Sequence, residues 1–216
     1  MGRLLEILER DRRAMTINPD ADSAGDIYRL MTAIIVPRPI AFVSSLSPGG
    51  ARNLAPFSFF TGICSNPPVI CFSCGRTRDA RKKDTLRNVE ETGEFVANVV
   101  SEEFAPQMNI CSTEFPPEVD EFAASGLTPV ASDLVQPPRV AESRAAMECR
   151  LLQIVEVSAQ PLGGSLVLGE VLRFHIDDPL FDNFKVDADG LNAIGRMGGA
   201  SYTRTRDRFD LERPKR

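Results

Sequence analysis

The 216-residue sequence has no tryptophan, a single histidine and no long apolar run. A Ser-His-Asp or Cys-His catalytic system would have to use His175, but no Gly-x-Ser-x-Gly segment or matching nucleophile accompanies it. Hydrolase chemistry is therefore disfavoured.

No apolar stretch reaches the roughly 18 residues that a membrane-spanning helix needs. Residues 1–13 read as a short amphipathic helix without the apolar core or cleavage site of a secretory signal, so we expect a cytoplasmic protein.

The charge balance and the cysteines disfavour two further classes of protein. The 25 Lys and Arg residues against 30 Asp and Glu give a net charge of −5, which does not favour a nucleic-acid-binding surface. The five cysteines are an odd number, which favours reduced thiols. Cys71 and Cys74 have the spacing of half a zinc site, but no second pair follows, and residues three apart on a strand point to opposite faces. We expect thiols in the core or lining a pocket, and no metal.

Hydrophobic patterning predicts one mainly β domain with peripheral helices. The predicted strands are 40–45, 51–63, 69–73, 94–100, 145–159 and 165–176, and the predicted helices are 27–35 and 84–92. Turn signals at 47–50 and 163–164 indicate hairpins, and no Gly-x-Gly-x-x-Gly loop is present. The pattern therefore predicts a mostly antiparallel barrel rather than a doubly wound sheet.

The expected organisation has three parts. Residues 1–26 form an N-terminal helix and linker, residues 27–202 form the barrel domain, and residues 203–216 form a charged tail. Within the domain, residues 102–138 hold six prolines and two short helical patterns. Long insertions between strands often carry function or an interface, although nothing in this one names a substrate.

Two cationic positions could hold a phosphate. Arg38 lies between Pro37 and Pro39, which restrict its backbone. Its guanidinium could therefore form a bidentate contact with two phosphate oxygens. It could equally be a surface arginine at a strand entrance. Lys83 precedes Asp84 and Thr85 at a predicted helix start, where free N–H groups favour anions. Simple capping by Asp84 is the alternative, but capping does not explain Lys83.

The segment 53–58 could contact a ring edge. Pro56 cannot donate to a strand ladder, so a sheet edge or a bulge is expected there, with unpaired backbone groups. Asn53 and Ser58 add an amide and a hydroxyl to this apolar run. The alternative is a plain core strand next to a hairpin.

Three further positions carry weaker signals. Ser73 ends the third strand just before a loop, where its hydroxyl could meet a phosphate or a ring edge. His175 could contact a ligand, although a lone histidine on a strand is more often structural. The glycines before Tyr202 would allow a close backbone approach, such as to a ligand held by a neighbouring subunit.

Six segments in a fixed order resemble one family. They are Pro37-Arg38-Pro39-Ile40-Ala41, Asn53-Leu54-Ala55-Pro56-Phe57-Ser58, Asn66-Pro67-Pro68-Val69, Lys83-Asp84-Thr85-Leu86-Arg87-Asn88, Gly93-Glu94-Phe95 and Gly169-Glu170-Val171. Over residues 27–202 the chain resembles the flavin reductase-like, FMN-binding split-barrel proteins. It is most similar to their flavoredoxin-like branch, rather than to the shorter reductase components of two-component monooxygenases.

The resemblance implies a six-stranded, Greek-key split β-barrel, a homodimer, and FMN held near the dimer interface. It also implies flavin reduction by NADH or NADPH, or electron transfer through bound flavin. The implied cofactor-binding residues are Arg38, Pro39, Asn53, Leu54, Ala55, Pro56, Ser58, Ser73, Lys83, Asp84 and Thr85, with His175 and Tyr202 as possible nicotinamide or cross-subunit contacts. Hydride passes directly from nicotinamide to flavin, so we expect no catalytic acid–base residue.

Three other functions remain open at this point. The protein could be a non-enzymatic FMN electron carrier reduced by a partner protein, or a flavin-binding or structural dimer without turnover. Pyridoxamine-phosphate oxidases share the barrel architecture, but their segments look different. The sequence does not distinguish NADH from NADPH, tight from exchanging flavin, or one electron acceptor from another.

Overall fold

In a computed structural model, which describes residues 14–214, the protein is mainly β. The helix expected in residues 1–13 lies outside the described residues. The main sheet is antiparallel, with strands β1 (Ala41–Leu46), β2 (Arg52–Phe57), β3 (Phe60–Ser65), β4 (Pro68–Gly75), β5 (Glu94–Val99), β8 (Ala145–Ser158) and β9 (Gly164–Ile176). Their spatial order is β2-β1-β5-β8-β9-β4-β3. The predicted antiparallel, mainly β class is confirmed.

The sheet is rolled into a barrel. Phe57 on β2 and Phe72 on β4 lie near opposite edges of the strand order, yet their ring centroids are 5.0 Å apart. Both rings belong to one buried cluster that also takes side chains from β1, β5, β8 and β9. The Phe95 ring lies against Gly169, where a Cβ atom would stand 2.4 Å from the ring, so the barrel wall needs glycine at this position.

The predicted strand 51–63 is wrong as a single element. Residues 52–57 pair with β1, whereas residues 60–65 pair with β4 at the opposite edge of the sheet. Ser58 and Phe59 connect them, and the N–H of Ser73 donates to the Phe59 carbonyl at 2.8 Å. The long apolar run hides this change of partner. Of β3, only Phe60 packs against the barrel core, and residues 61–65 are exposed. The main sheet therefore has seven strands instead of six.

Five α-helices lie around the barrel: α1 (Ala24–Ile34), α2 (Asp84–Thr92), α3 (Ala105–Ile110), α4 (Glu121–Ser125) and α5 (Ala188–Leu191). Single 3₁₀ turns cover Pro19–Ala21, Glu102–Phe104 and Asp178–Leu180. As predicted, α2 ends at Gly93, which has a φ of 74°, and Leu86 and Val89 enter the barrel core. None of the helices in residues 14–214 has the length and hydropathy to cross a bilayer.

The segment 102–138 packs on the outside of the barrel. Its α3 and α4 contribute Met108 and Phe122 to a second buried cluster, which also contains Phe42 and Leu54 from the outer face of β1 and β2. The two short helices predicted in this segment are therefore present. They cover the edge of the sheet beside β2.

The remaining strands lie outside the main sheet. Short two-stranded ladders join β6 (Pro129–Val130) to β7 (Arg139–Val140), β10 (Phe181–Asp182) to β11 (Lys185–Val186), and β12 (Ile194–Arg196) to β13 (Tyr202–Arg204). The backbone of Arg196 also exchanges two hydrogen bonds with Arg38, at 3.0 and 2.8 Å. This pairing brings the C-terminal ladder to the start of β1.

All five cysteines are free thiols. Four of them are buried, as expected for core or pocket-lining thiols, whereas Cys64 is exposed. Burial raises the pKa of Cys74 to about 12 and that of Cys111 to about 11. These buried thiols are therefore held in the neutral form.

Candidate functional site

A cavity of about 520 Å³ lies alongside β2. Its walls come from β2 and Ser58, from residues 81–85 at the start of α2, from residues 108–109 and 111–117 around the end of α3, and from Arg196 and Tyr202. This volume falls within the usual range for cofactor and small-molecule sites. The cavity brings together residues that lie far apart in the chain.

Strand β2 is an edge strand, as the position of Pro56 predicts. The N–H of Leu54 points away from β1, because it donates to the Glu121 carboxylate at 3.1 Å. In an antiparallel strand the C=O of the same residue points the same way, and so does that of the residue two further along. The carbonyls of Leu54 and Pro56 therefore lie on the edge without a strand partner. Pro56 lines the cavity and Ala55 and Phe57 form its apolar wall, whereas the predicted site residue Leu54 is fully buried in the second cluster and does not line it.

One end of the cavity is built around Asn53 and the start of α2. The Asn53 side-chain amide donates to the Thr85 hydroxyl at 2.8 Å and to the Ser45 hydroxyl at 3.4 Å. Asn53 and Thr85 are both buried, so this bond fixes the first turn of α2 against β2. The sequence-predicted residues Asn53 and Thr85 are thus brought together.

Lys83 is a free cation at this end of the cavity. It precedes α2 as the N-cap residue, whereas Asp84 is the first helical residue and pairs with Arg87. Two neighbouring cations, Arg81 and Lys82, pair with Asp79 and Glu90. Within residues 14–214, no carboxylate lies within ion-pair distance of the Lys83 ammonium.

The Arg38 guanidinium, predicted to hold a phosphate, binds neutral groups of the protein in this structure. Its side chain is 3% exposed, and its guanidinium donates to the carbonyls of Thr32, Ile35 and Met197 and to the Ser58 hydroxyl. The last carbonyls of a helix lack intrahelical donors, and Arg38 supplies them at the end of α1. It does not line the cavity, and neither does the exposed Pro39.

His175 and Ser73 also lie outside the cavity lining. The His175 Nε2 atom is 2.5 Å from the carboxylate of Glu148, which is fully buried on β8. That carboxylate also accepts the backbone N–H groups of Asp133 and Leu134, at 2.8 and 2.7 Å. His175 therefore belongs to a clamp that fastens the segment around residue 133 to the sheet.

Comparison with protein-family models matches residues 31–192, most of the chain, to the flavin reductase like domain. The chain belongs to the flavin reductase-like family. An uncharacterized protein of Halalkalibacterium halodurans is 38% identical over 204 residues, which are 93% of this chain and 97% of the relative.

Two solved structures extend this assignment. Nitrilotriacetate monooxygenase component B from Bacillus cereus superposes with a TM-score of 0.88 and 34% identity, covering 93% of this chain and 100% of the other. The 2-nitrobenzoate 2-nitroreductase NbaA of Pseudomonas fluorescens gives a TM-score of 0.83 and 33% identity, with 93% and 96% covered. The family resemblance and the split-barrel fold expected from the six sequence segments are confirmed.

This flavin reductase-like chain has a buried carboxyl group in the cavity that the sequence did not single out. Glu121 is 7% exposed, lines the cavity and binds the N–H of Leu54. Burial, with smaller contributions from the charges of Asp84 and Asp120, raises the pKa of this carboxyl to about 7, although the backbone N–H groups of Glu121 and Leu54 act in the opposite direction. In the sequence Glu121 looks like any acidic residue in the first turn of a helix, so no local signal marks its burial.

Three more cavity residues belong to the opposite end of β2. Arg196 lines the wall beside Tyr202, and Tyr28 reaches it from α1. The chain has only two tyrosines, and both are here. Of these three residues, the sequence singled out Tyr202 alone. Arg196 and Tyr28 carry no motif, and their approach depends on the long-range pairing of β12 with the start of β1.

Proposed function

We propose that this protein binds FMN in the cavity beside β2 and catalyses NAD(P)H-dependent flavin reduction. The observation that carries the proposal is the free Lys83 ammonium at the start of α2, at one end of an open strand edge. A helix N-terminus with a free cation suits a phosphate, and an apolar strand with unpaired backbone groups suits a polar-edged ring. Membership of the flavin reductase-like family supports this choice of ligand.

The phosphate end of the site consists of Lys83 and the first turn of α2. The Lys83 ammonium supplies a point charge, and the backbone N–H groups after it supply donors. Thr85 is held in place by Asn53, so it contributes position rather than charge. In this proposal Arg38 does not bind the phosphate. Its guanidinium instead donates to the hydroxyl of Ser58 and holds this part of the cavity wall in place. Asp84 is retained only as the partner of Arg87.

The ring end uses the edge of β2. The carbonyl of Pro56 accepts a hydrogen bond from a polar ring edge, and Ala55 and Phe57 exclude water from one side. When bound, FMN supplies a two-electron acceptor for the nicotinamide hydride. The protein's part is to orient the two rings, which needs no acid–base pair. His175 and Ser73 have no part in this proposal, because the His175 clamp and the β4 ladder hold them elsewhere.

Replacing Lys83 by methionine should weaken FMN binding by about ten- to a hundredfold, since it removes one charge-assisted contact. Flavin fluorescence quenching measures the dissociation constant, and Lys185→Met, an exposed lysine on β11, is the control. Equal FMN affinity in both variants would remove Lys83 from the site.

The reaction itself is tested on the purified protein after FMN addition and desalting. Retained flavin that bleaches under anaerobic NADH or NADPH supports the reductase and identifies the donor. Retained flavin that stays oxidised indicates an electron carrier reduced by a partner protein. If no flavin is retained and NAD(P)H oxidation does not depend on added FMN, the cofactor assignment is wrong.

We also propose that a second copy of the chain covers an exposed apolar surface. This surface consists of Ile63 on β3, of Leu152, Val155 and Val157 on the far half of β8, and of Tyr28, Met31, Ile34 and Ile35 along α1. Exposed apolar side chains in this number suit an interaction site. Because Tyr28 also lines the cavity, the proposed homodimer interface adjoins the flavin site.

A lysine in place of Val157, which is 75% exposed, should convert a dimer to a monomer. The physical reason is the burial of an unpaired charge in the interface. Light scattering after size-exclusion chromatography gives the molar mass, and Val130→Lys on β6 is the matched control. A wild-type protein that elutes as a monomer at micromolar concentration contradicts the homodimer.

A further inference from the structure

Arg196 is a cation without a carboxylate partner in the cavity wall. Its Nη2 atom donates to the Gly199 carbonyl at 2.6 Å, and its guanidinium carbon lies 4.4 Å from the centre of the Tyr202 ring. Among the described residues, no Asp or Glu is within ion-pair distance of it. Most of its N–H donors are therefore free to bind an anion in a bidentate manner.

A second uncompensated cation lies beside Arg196. All the groups that bind the Arg38 guanidinium are neutral, namely three carbonyls and one hydroxyl. Burial lowers the pKa of Arg38, and the neighbouring charge of Arg196 lowers it further, although Tyr28 acts in the opposite direction. Two adjacent guanidinium groups without a carboxylate make this end of the cavity electropositive.

The same end offers two aromatic faces. Tyr202 is stacked under Arg196, and Tyr28 is 57% exposed and packs edge-on against Phe59. A cation held over an aromatic ring, with a second ring nearby, suits a flat ligand that carries a negative group.

This cationic end is separate from the Lys83 end. Arg38 binds Ser58 just after the last residue of β2, whereas Thr85 binds Asn53 near its first residue. The four residue steps from Asn53 to Phe57 span about 13 Å of extended strand. FMN has one phosphate, which the proposed function places at Lys83, so that phosphate does not account for the charge at Arg196.

We propose that Arg196 and Tyr202 form a second anion-binding subsite, which holds the carboxylate or phosphate of a flat second ligand next to the flavin. The proposal rests on the proposed function for the flavin site itself. Two sources have this chemistry: a carboxylated aromatic electron acceptor, and the phosphate groups of a nicotinamide dinucleotide. Arg196 is then a specificity residue for the second ligand and not for FMN.

The test uses the FMN-loaded protein and the variant Arg196→Gln, with Arg204→Gln as the control. Arg204 is an exposed arginine on β13 that pairs with Glu102 and does not line the cavity. Benzoate and the neutral benzamide are titrated while the flavin absorption spectrum is followed. The KM values for NADH and NADPH are measured in parallel. Arg196→Lys, which keeps the charge, is the second variant in case the glutamine variant does not fold.

A carboxylated ligand is supported if benzoate binds more tightly than benzamide and Arg196→Gln weakens benzoate at least tenfold, with both KM values unchanged. Nucleotide recognition is supported if Arg196→Gln raises the KM for NADH or NADPH at least fivefold. In either case FMN affinity stays unchanged, and Arg196→Lys falls between wild type and Arg196→Gln.

Two results overturn the subsite. The first is that benzoate affinity and both KM values stay within twofold of wild type. The second is a loss of FMN affinity in Arg196→Gln while Arg204→Gln retains it, which would make Arg196 part of the flavin site. A wild-type protein that binds no FMN at all is a separate outcome, since it refutes the proposed function before the subsite is reached.

Discussion

Replacing Glu148 by glutamine should lower the free energy of unfolding by about 3 kcal/mol, one of the largest single-residue effects expected in this protein. The carboxylate is completely buried and accepts two backbone N–H groups and His175. A glutamine offers only one acceptor oxygen and turns an NH₂ group towards a donor. For a chain of this length the loss corresponds to a decrease in Tm of roughly 6–12 °C.

The effect of Glu148 should depend on pH. Burial alone would raise the pKa of this carboxyl, but the N–H groups of Asp133 and Leu134 and the contact with His175 leave it below its usual value. A depressed folded-state pKa stabilises the protein above the unfolded value of about 4.3 and is lost as the pH falls through the folded value. The difference between wild type and Glu148→Gln should therefore shrink below about pH 4.

Thermal unfolding of both proteins between pH 3.5 and 7 checks this expectation. The control is Asp133→Asn, which removes an exposed partner of Arg173 from the same clamp and should cost less than about 1 kcal/mol. A Glu148→Gln protein as stable as wild type at pH 7 would show that the clamp contributes nothing net.

Replacing Glu121 by glutamine should instead raise the free energy of unfolding when the carboxyl is ionised. Burial raises the folded-state pKa of Glu121 to about 7, so the folded chain takes up a proton between about pH 4.5 and 7. Stability from this group is therefore present below about pH 4.5, declines as the pH rises to 7, and stays low above it. A neutral glutamine avoids this loss and can still accept the N–H of Leu54.

At pH 8 we expect Glu121→Gln to be more stable than wild type by up to about 3 kcal/mol, which is the shift of roughly 2.5 units converted at 1.36 kcal/mol each. At pH 5 the two proteins should be nearly equal. Melting curves of the flavin-free proteins at both pH values measure the difference, with the exposed Glu118→Gln as control. If the stability difference between wild type and Glu121→Gln is the same at pH 5 and pH 8, the pKa of the Glu121 carboxyl is not raised.

The parts of the fold that depend on local signals were predictable. The hairpin turns, the end of α2 at Gly93 and the edge position of β2 each follow from one or two residues whose backbone chemistry allows few alternatives. The pairing of residues 60–65 with β4 was not predictable in this way. Apart from Phe60 the side chains of β3 are exposed, so burial of one face does not select its neighbour, and its partner is decided by the closure of the barrel.

The same distinction holds for the candidate site. Asn53, Thr85 and Lys83 were named from sequence, and the structure brings them to one end of the cavity. For Arg38 the flanking prolines fix the backbone but not the guanidinium, which binds Met197, 159 residues away in the chain. The partners of His175 and the burial of Glu121 depend likewise on long-range packing.

The buried cysteines have a consequence for the durability of the protein in air. Reduced flavin reacts with dioxygen to give hydrogen peroxide, and peroxide attacks the thiolate form of cysteine. Burial holds Cys74 and Cys111 far from ionisation, and Cys149 has an even higher pKa. If flavin turns over in the cavity, these buried thiols are thus chemically shielded from the by-product, and oxidative damage should concentrate at the exposed Cys64.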